Sequence, residues 1–227
     1  MTASTTAPMM PPVMPPAAET RDARFWDRLS ARYARQPVAD PAAYARTLER
    51  TRGYLHPRAR VLELGCGSGS TALQLAGDVA EYIATDLSPE MIRIGARRLA
   101  ESPVPGLSFE AGTVQDMAQE GPFDVVLGFN YLHLVRDLPG TLAVISKLLA
   151  PGGVFISKTP CLREMNPLIR GLVIPVMQAV GKAPHVASFS VDGLEDTLHD
   201  ADFALELTEN HAGKGDDHRP FVVARPW

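Results

Sequence analysis

The chain has 227 residues, 45% of them hydrophobic and 21% charged, which is enough for one well-buried domain with little left for a second. A net charge of −4 and a pI near 5.9 exclude nucleic acid as the main partner, because phosphate backbones are held by concentrated positive charge. Two cysteines, Cys66 and Cys161, suit a reducing cytoplasm better than a disulfide framework, and no stretch nears the ~20 apolar residues that span a bilayer.

Residues 1–19 are rich in Pro, Ala, Thr and Met. Pro8, Pro11, Pro12, Pro15 and Pro16 interrupt the continuous apolar core of a signal peptide, so this stretch reads as a disordered tail before a single domain over 20–227. From about 21 to 52 the pattern is helical. Phe25, Trp26, Leu29 and Tyr33 recur at three- to four-residue spacing, and Pro37-Val38-Ala39-Asp40-Pro41 separates two helices. Arg21, Arg24, Arg28, Arg32 and Arg35 make a basic stripe that Asp22 and Asp27 dilute. A helix resting on anionic lipid is one reading of the stripe; a solvated arginine face is the preferred one.

Val61-Leu62-Glu63-Leu64 reads as a buried strand with an acid inside it, and Gly65-Cys66-Gly67-Ser68-Gly69 as a tight loop with bare backbone for a ligand to lie against. A helix over 70–79 would aim its N-terminal amides at that ligand. A dinucleotide fold wants Gly-x-Gly-x-x-Gly, whose third glycine would stand at Ser70, and a phosphate-loop NTPase wants a following Gly-Lys-Ser/Thr that is missing. Glu63 would repel a pyrophosphate and attract an ammonium group. A strand over 81–86 ends in Asp86, about 20 residues beyond the loop, where ribose-binding acids sit in doubly wound folds. Ser88 and Pro89 then cap and open a helix to about Ala100. The ligand therefore carries a ribose and an ammonium group and needs no phosphates. S-adenosylmethionine meets all three conditions.

Strands over 107–111, 123–129 and 153–158, with a helix over 138–149, continue an alternation that implies right-handed crossovers and a parallel sheet. An unusually apolar stretch, 168–177, follows within an insertion of about 160–188. Residues 203–208 and 220–225 alternate as strands around the polar turn 213–217, which predicts an antiparallel hairpin. Asp216-Asp217-His218 lies in that turn without the ligand spacing of a metal site, and no metal is expected.

Four blocks in order, Glu63-Leu64-Gly65-Cys66-Gly67-Ser68-Gly69, Asp86-Leu87-Ser88-Pro89-Glu90-Met91, Phe123-Asp124-Val125-Val126 and Leu149-Ala150-Pro151-Gly152-Gly153, resemble the class I S-adenosylmethionine-dependent methyltransferases. Within that family the chain is most similar to the small-molecule and quinone-biosynthesis branch. The resemblance covers about residues 20 to 227 and is strongest from 60 to 157. It implies an α/β fold with a doubly wound, mostly parallel, seven-stranded Rossmann-like sheet and one reversed strand from the C-terminal hairpin.

The resemblance also implies roles. Glu63, Gly65 and Gly67 would hold the methionine part, Asp86 both ribose hydroxyls, and Leu87 would pack on adenine. The helices of 21–52 would form a lid, with Tyr33 closing over the cofactor, and the insertion would cover the substrate. Cys66 reads as a small loop residue rather than a nucleophile. Relatives carry Gly-Asp after the third strand where this chain has Gly112-Thr113, so Thr113 and Val114 are the expected adenine contacts and Asp116 the alternative. Asn130-Tyr131-Leu132-His133 replaces the Asn-Pro-Pro-Tyr of enzymes that methylate adenine or glutamine amino groups, which argues against those acceptors. Phe129 and Asn130 would still flank the sulfonium. His133 is the candidate general base, needed only if the attacking atom must lose a proton; a loop anchor is the competing reading. Lys158 would meet an anionic substrate or lie on the surface.

The expected function is methyl transfer to a small organic acceptor; a cover for an apolar acceptor is one reading of the insertion, and a cover packed onto its own core is the preferred one. The alternatives are a membrane-associated lipid or quinone methyltransferase, a non-catalytic S-adenosylmethionine-binding regulatory protein and an NAD-dependent oxidoreductase. No oligomeric state follows from the sequence.

Overall fold

The computed structural model describes residues 17–164, 185–212 and 218–227. Residues 1–16 of the expected tail, most of the insertion and the 213–217 turn lie outside the described residues. Strands β1 (Arg60–Leu64), β2 (Glu81–Asp86), β3 (Leu107–Ala111), β4 (Phe123–Phe129) and β5 (Leu149–Lys158) run parallel. Strands β6 (Phe203–Glu209) and β7 (Phe221–Pro226) form the antiparallel hairpin, and β7 inserts beside β5. The sheet order is β3-β2-β1-β4-β5-β7-β6, with β7 the one reversed strand. Strand order turns back between β1 and β4, so a crevice opens at their carboxyl ends.

The central strands are buried on both faces, which is why they read as continuous apolar runs. Alternation sends Leu62 and Leu64 of β1 into a core with Val126, and Val61 into the opposite core with Tyr82, Leu127 and Ile156. Glu63 shares the face of Val61 and is 2% exposed. Helices α1 (Ala17–Tyr33), α2 (Pro41–Arg52), α3 (Ala72–Leu75) and α4 (Pro89–Glu101) precede β3, and α5 (Leu138–Leu148) precedes β5. A sixth helix, α6 (Val191–Asp200), was not expected; Ser190 caps it by accepting from Gly193 N, and Leu194 and Leu198 bury its inner face. Leu48 of α2 and Leu75 of α3 pack on one face of the sheet, Ile145 of α5 and Leu194 of α6 on the other.

Two elements differ from expectation. The helix expected over 70–79 is a single turn, α3, followed by a 3-10 turn over Ala76–Asp78; Thr71 provides no side-chain cap. One turn sums too few peptide dipoles to act as an anion site. Strand β5 starts at Leu149, before Pro151-Gly152-Gly153, because Leu149 pairs with Phe123 and the register then shifts before Val154 meets Val125.

Candidate functional site

A cavity of about 470 Å³ opens over the carboxyl ends of β1, β2 and β4. Its walls hold Gly65 and Gly67 from the loop after β1, Asp86 and Leu87 after β2, Thr113 and Val114 after β3, and Phe129, Asn130 and His133 after β4. Tyr33 closes one side from α1. Ten expected site residues are thus brought together on one wall system.

The loop geometry explains the first two glycines. Gly65 has φ 68° and Gly67 φ 55°, in the left-handed region. A Cβ at Gly65 would lie 2.8 Å from Tyr131 Cδ2, and one at Gly67 would lie 3.4 Å from Tyr33 Cε1. The two rings thus lie against bare backbone. The third glycine, Gly69, is left-handed too, at φ 78°, and its missing Cβ also makes room for the Phe109 ring, which lies against Gly95 of α4.

Asp86 is the best-anchored acid of the site. Its Oδ2 accepts from Gly67 N at 2.9 Å and its Oδ1 from Ser88 N at 2.8 Å. Burial pushes its carboxyl up, and these two amides pull it back. At the adenine end, Asp116 is engaged by its own turn: Oδ2 accepts from Thr113 N at 2.7 Å and from Thr113 Oγ1 at 2.8 Å. It does not line the cavity, whereas Gln115 does. Asn130 adopts φ 52° and donates its backbone N–H to Lys158 O at 2.7 Å, which fixes the bend after β4.

Two expected contact residues, Glu63 and Cys66, stand behind the wall rather than on it. Strand alternation turns Glu63 toward the α2 face, where Tyr82 Oη donates to its Oε2 at 2.9 Å. Cys66 is 8% exposed; burial first, then the charges of Glu63 and Asp86, push its thiol well up, so it is an inert small residue. Lys158 is also off the wall, with Nζ donating to Thr47 Oγ1 at 3.2 Å.

His133 sits on a 3-10 turn, Leu132–Leu134, and its carbonyl accepts from Ala187 N at 2.7 Å. That backbone bond anchors the turn. The ring does not: buried Nδ1 has no partner among the described residues, and burial lowers the imidazole to about 4. His133 is therefore neutral at physiological pH.

Several wall residues were missed. Asp22 and Trp26 come from α1, in helical phase with Tyr33, and Arg136 follows the His133 turn. Arg136 Nη2 lies 2.8 Å from Asp22 Oδ2, with Asp22 8% exposed, so α1 is pinned across the cavity. Asp27 pins it a second time, its Oδ1 accepting from Ser88 Oγ at 2.6 Å and from Glu90 N at 3.2 Å. Arg98 completes the clamp, donating to Ala34 O at 2.8 Å and to Ser68 O at 3.0 Å. The acids that diluted the arginine stripe thus face inward. Arg21, Arg24, Arg28, Arg32 and Arg35 remain exposed.

A doubly wound sheet with a glycine cradle, a ribose-type acid and a polar clamp over a crevice defines a nucleoside-binding α/β fold. The profile of a family described as a methyltransferase domain matches residues 55–199, more than half of the chain, and the chain belongs to that family. It is 34% identical over 105 residues to the ubiquinone biosynthesis O-methyltransferase of Xanthomonas campestris, covering 45% of this chain and 44% of that protein. It is 28% identical over 173 residues to the demethylmenaquinone methyltransferase of Symbiobacterium thermophilum, covering 71% of this chain and 67% of that one. The chain thus spans less than half the length of the first of these relatives. Among solved structures, the DhpI–SAM–HEP complex superposes with a TM-score of 0.70 at 19% identity, over 94% of this chain and all of that one, a likeness of fold.

Proposed function

We propose that the protein is an S-adenosylmethionine-dependent methyltransferase acting on a small organic acceptor, most like the quinone-biosynthesis branch. One observation carries the reading. Asp86 is fixed by two backbone amides beside the Gly65 and Gly67 cradle, which puts a carboxylate rather than a cation against the glycine loop, while Arg136 on the wall is paired with Asp22. That donor set suits a ribose and a cation, not a phosphate chain. When bound, the cofactor supplies a methyl group on a sulfonium, an electrophile whose leaving group is a neutral sulfide.

The residues of the chain divide the work. Asp86 would accept from the ribose hydroxyls, and Leu87, Thr113, Val114 and Gln115 would enclose the adenine. Phe129, Asn130, Tyr131 and Tyr33 would border the sulfonium, where aromatic faces favour a cation. Trp26, Leu134 and Val135 would offer the acceptor an apolar wall. In-line attack then depends on positioning and exclusion of water. His133, neutral and with no partner for its Nδ1 among the described residues, would accept the proton of an attacking hydroxyl. We place the reaction in the cytoplasm, where the buried thiols of Cys66 and Cys161 stay free.

Calorimetry with S-adenosylhomocysteine and with NADH tests the cofactor, and methyl transfer from labelled S-adenosylmethionine to a panel of phenols and hydroquinones tests the acceptor. Heat with NADH and none with the thioether would overturn the reading. A membrane-surface version has its own support in the five exposed arginines on and just beyond α1, since no described helix is long and apolar enough to cross a bilayer. Cosedimentation with anionic vesicles, lost in a variant with Arg21, Arg24 and Arg28 changed to Gln, would establish that version.

A further inference from the structure

The cradle is acidic on both sides of its glycine loop. Behind it, Glu63 is 2% exposed, and among the described residues its carboxyl receives one hydrogen bond, from Tyr82 Oη. On its wall stands Asp86, which has two amide donors. The groups that couple to Glu63 are Tyr82 and Asp86 of β2, Tyr44 of α2, Tyr33 of α1 and Cys66 of the loop. Tyr44 Oη in turn meets Thr71 Oγ1 at 3.2 Å. The cluster is two acids, three phenols and a thiol; among the described residues the one base that bears on it is Arg52, which acts on Tyr44 and not on Glu63.

Burial first, and the charge of Asp86 as well, push the Glu63 carboxyl up to about 8 against the pull of the Tyr82 bond. The three phenols and the thiol are also pushed up, so they stay neutral through the same range. Glu63 therefore keeps its proton at neutral pH while the cavity holds only solvent. A ligand that brings an ammonium, and in one form a sulfonium, changes the local charge. The low polarity that kept the proton on now makes attraction to those cations strong.

We propose that Glu63 is a proton-release group: binding of the cofactor at Gly65 and Gly67 expels its proton to solvent and leaves a carboxylate to balance the incoming positive charge. The step balances as one carboxylic acid becoming one carboxylate plus one proton on water. Cofactor affinity then rises with pH until Glu63 is ionised in the free protein, because proton and cofactor compete. The inference rests on the cofactor reading above and deepens it.

The test is calorimetry of S-adenosylhomocysteine and S-adenosylmethionine binding in buffers of different ionisation enthalpy. Wild type should release about one proton per ligand at pH 7 and close to none by about pH 9. Glu63→Gln should lose that release. The ligand amine titrates too, but it is common to both proteins, so the difference isolates Glu63. Tyr82→Phe removes the donor that favours ionised Glu63, and its release should persist to higher pH. It also decides the matter if Glu63→Gln fails to fold. Equal proton counts in wild type and Glu63→Gln, or an unmoved pH profile in Tyr82→Phe, would overturn the proposal. Heat without proton release sinks only this inference, whereas no heat with either ligand sinks the cofactor reading itself.

Discussion

The cofactor end and the acceptor end of the cavity are built by different means. At the proposed cofactor end, contiguous strand–loop segments shape the wall: Gly65 and Gly67 by φ, Asp86 by two amide bonds. At the acceptor end, side chains from distant parts of the chain meet, Asp22 and Trp26 of α1 with His133 and Arg136. Local backbone geometry is stiff and leaves a compact signature in sequence. An assembly of side chains across more than 100 positions leaves almost none, and it is the part that varies with the acceptor.

The sharpest way to break the comparison is at Asp86. Asp86→Ala removes the proposed ribose acceptor and leaves the amides of Gly67 and Ser88 without their partner. The expected loss is about 3 kcal/mol in cofactor binding, some hundredfold in Kd by calorimetry. Acceptor affinity measured separately should hardly move. If both fall together, the two ends are not independent.

His133→Asn probes the other end. With a proton-accepting role, kcat falls by about a hundredfold while cofactor Kd is unchanged. With a purely structural role, kcat stays within a few-fold, because the Ala187 bond runs through the His133 carbonyl and survives the substitution.

That two-part logic also separates what was legible. The seven strands, the hairpin and the capped helix α4 follow from alternation and from Ser88-Pro89. Asp86 follows from its distance to the glycine loop. Glu63 was expected at the methionine part, and strand alternation with Val61 sets its side chain behind the cavity wall, a depth that the motif alone does not report. Helix α3 is one turn that passes into the 3-10 turn Ala76–Asp78, where Gly77 weakens any continuation of the helix. Helix α6 has the Ser190 cap, but its buried stripe is the single pair Leu194 and Leu198 with Gly193 in the first turn, too short a pattern to mark a helix by itself. Asp22 lay in phase with Trp26 and Tyr33, yet its partner Arg136 is 114 residues away, and no local pattern reports such a pairing.

A pH profile of ligand-free stability probes His133 and Glu63 together. His133 is held neutral, its pKa lowered from 6.5 to about 4, so its contribution is present above 6.5 and is lost as pH falls toward 4. Glu63 is held protonated, its pKa raised from 4.5 to about 8, so its contribution is present below 4.5 and is lost as pH rises through 8. The two oppose each other between 4.5 and 6.5 and leave Glu63 alone above that. Denaturant titrations should show stability falling by at most about 1.4 kcal/mol per pH unit from 6.5 to 8, and a flatter line in Glu63→Gln.

Asp22→Asn is the smallest expected effect and the most direct test of how α1 closes the acceptor end. The ion pair is uneven: the Asp22 side chain is 11% exposed and that of Arg136 is 41% exposed, so solvent screens much of the attraction. Asparagine keeps an acceptor oxygen for Arg136 and removes the charge, which costs about 1 kcal/mol, or roughly fivefold. The loss should appear in acceptor KM, leave cofactor Kd unaltered, and shrink in high salt as screening already weakens the wild-type pair. Asp27, which caps α4 from the same helix, holds α1 over the cofactor end through uncharged donors, so Asp27→Asn should show little salt dependence. A salt-dependent acceptor KM for one aspartate and a salt-independent cofactor Kd for its neighbour, five residues on, would mean that one helix serves both ends by different physics. A shared response would mean that α1 closes as a rigid unit over both.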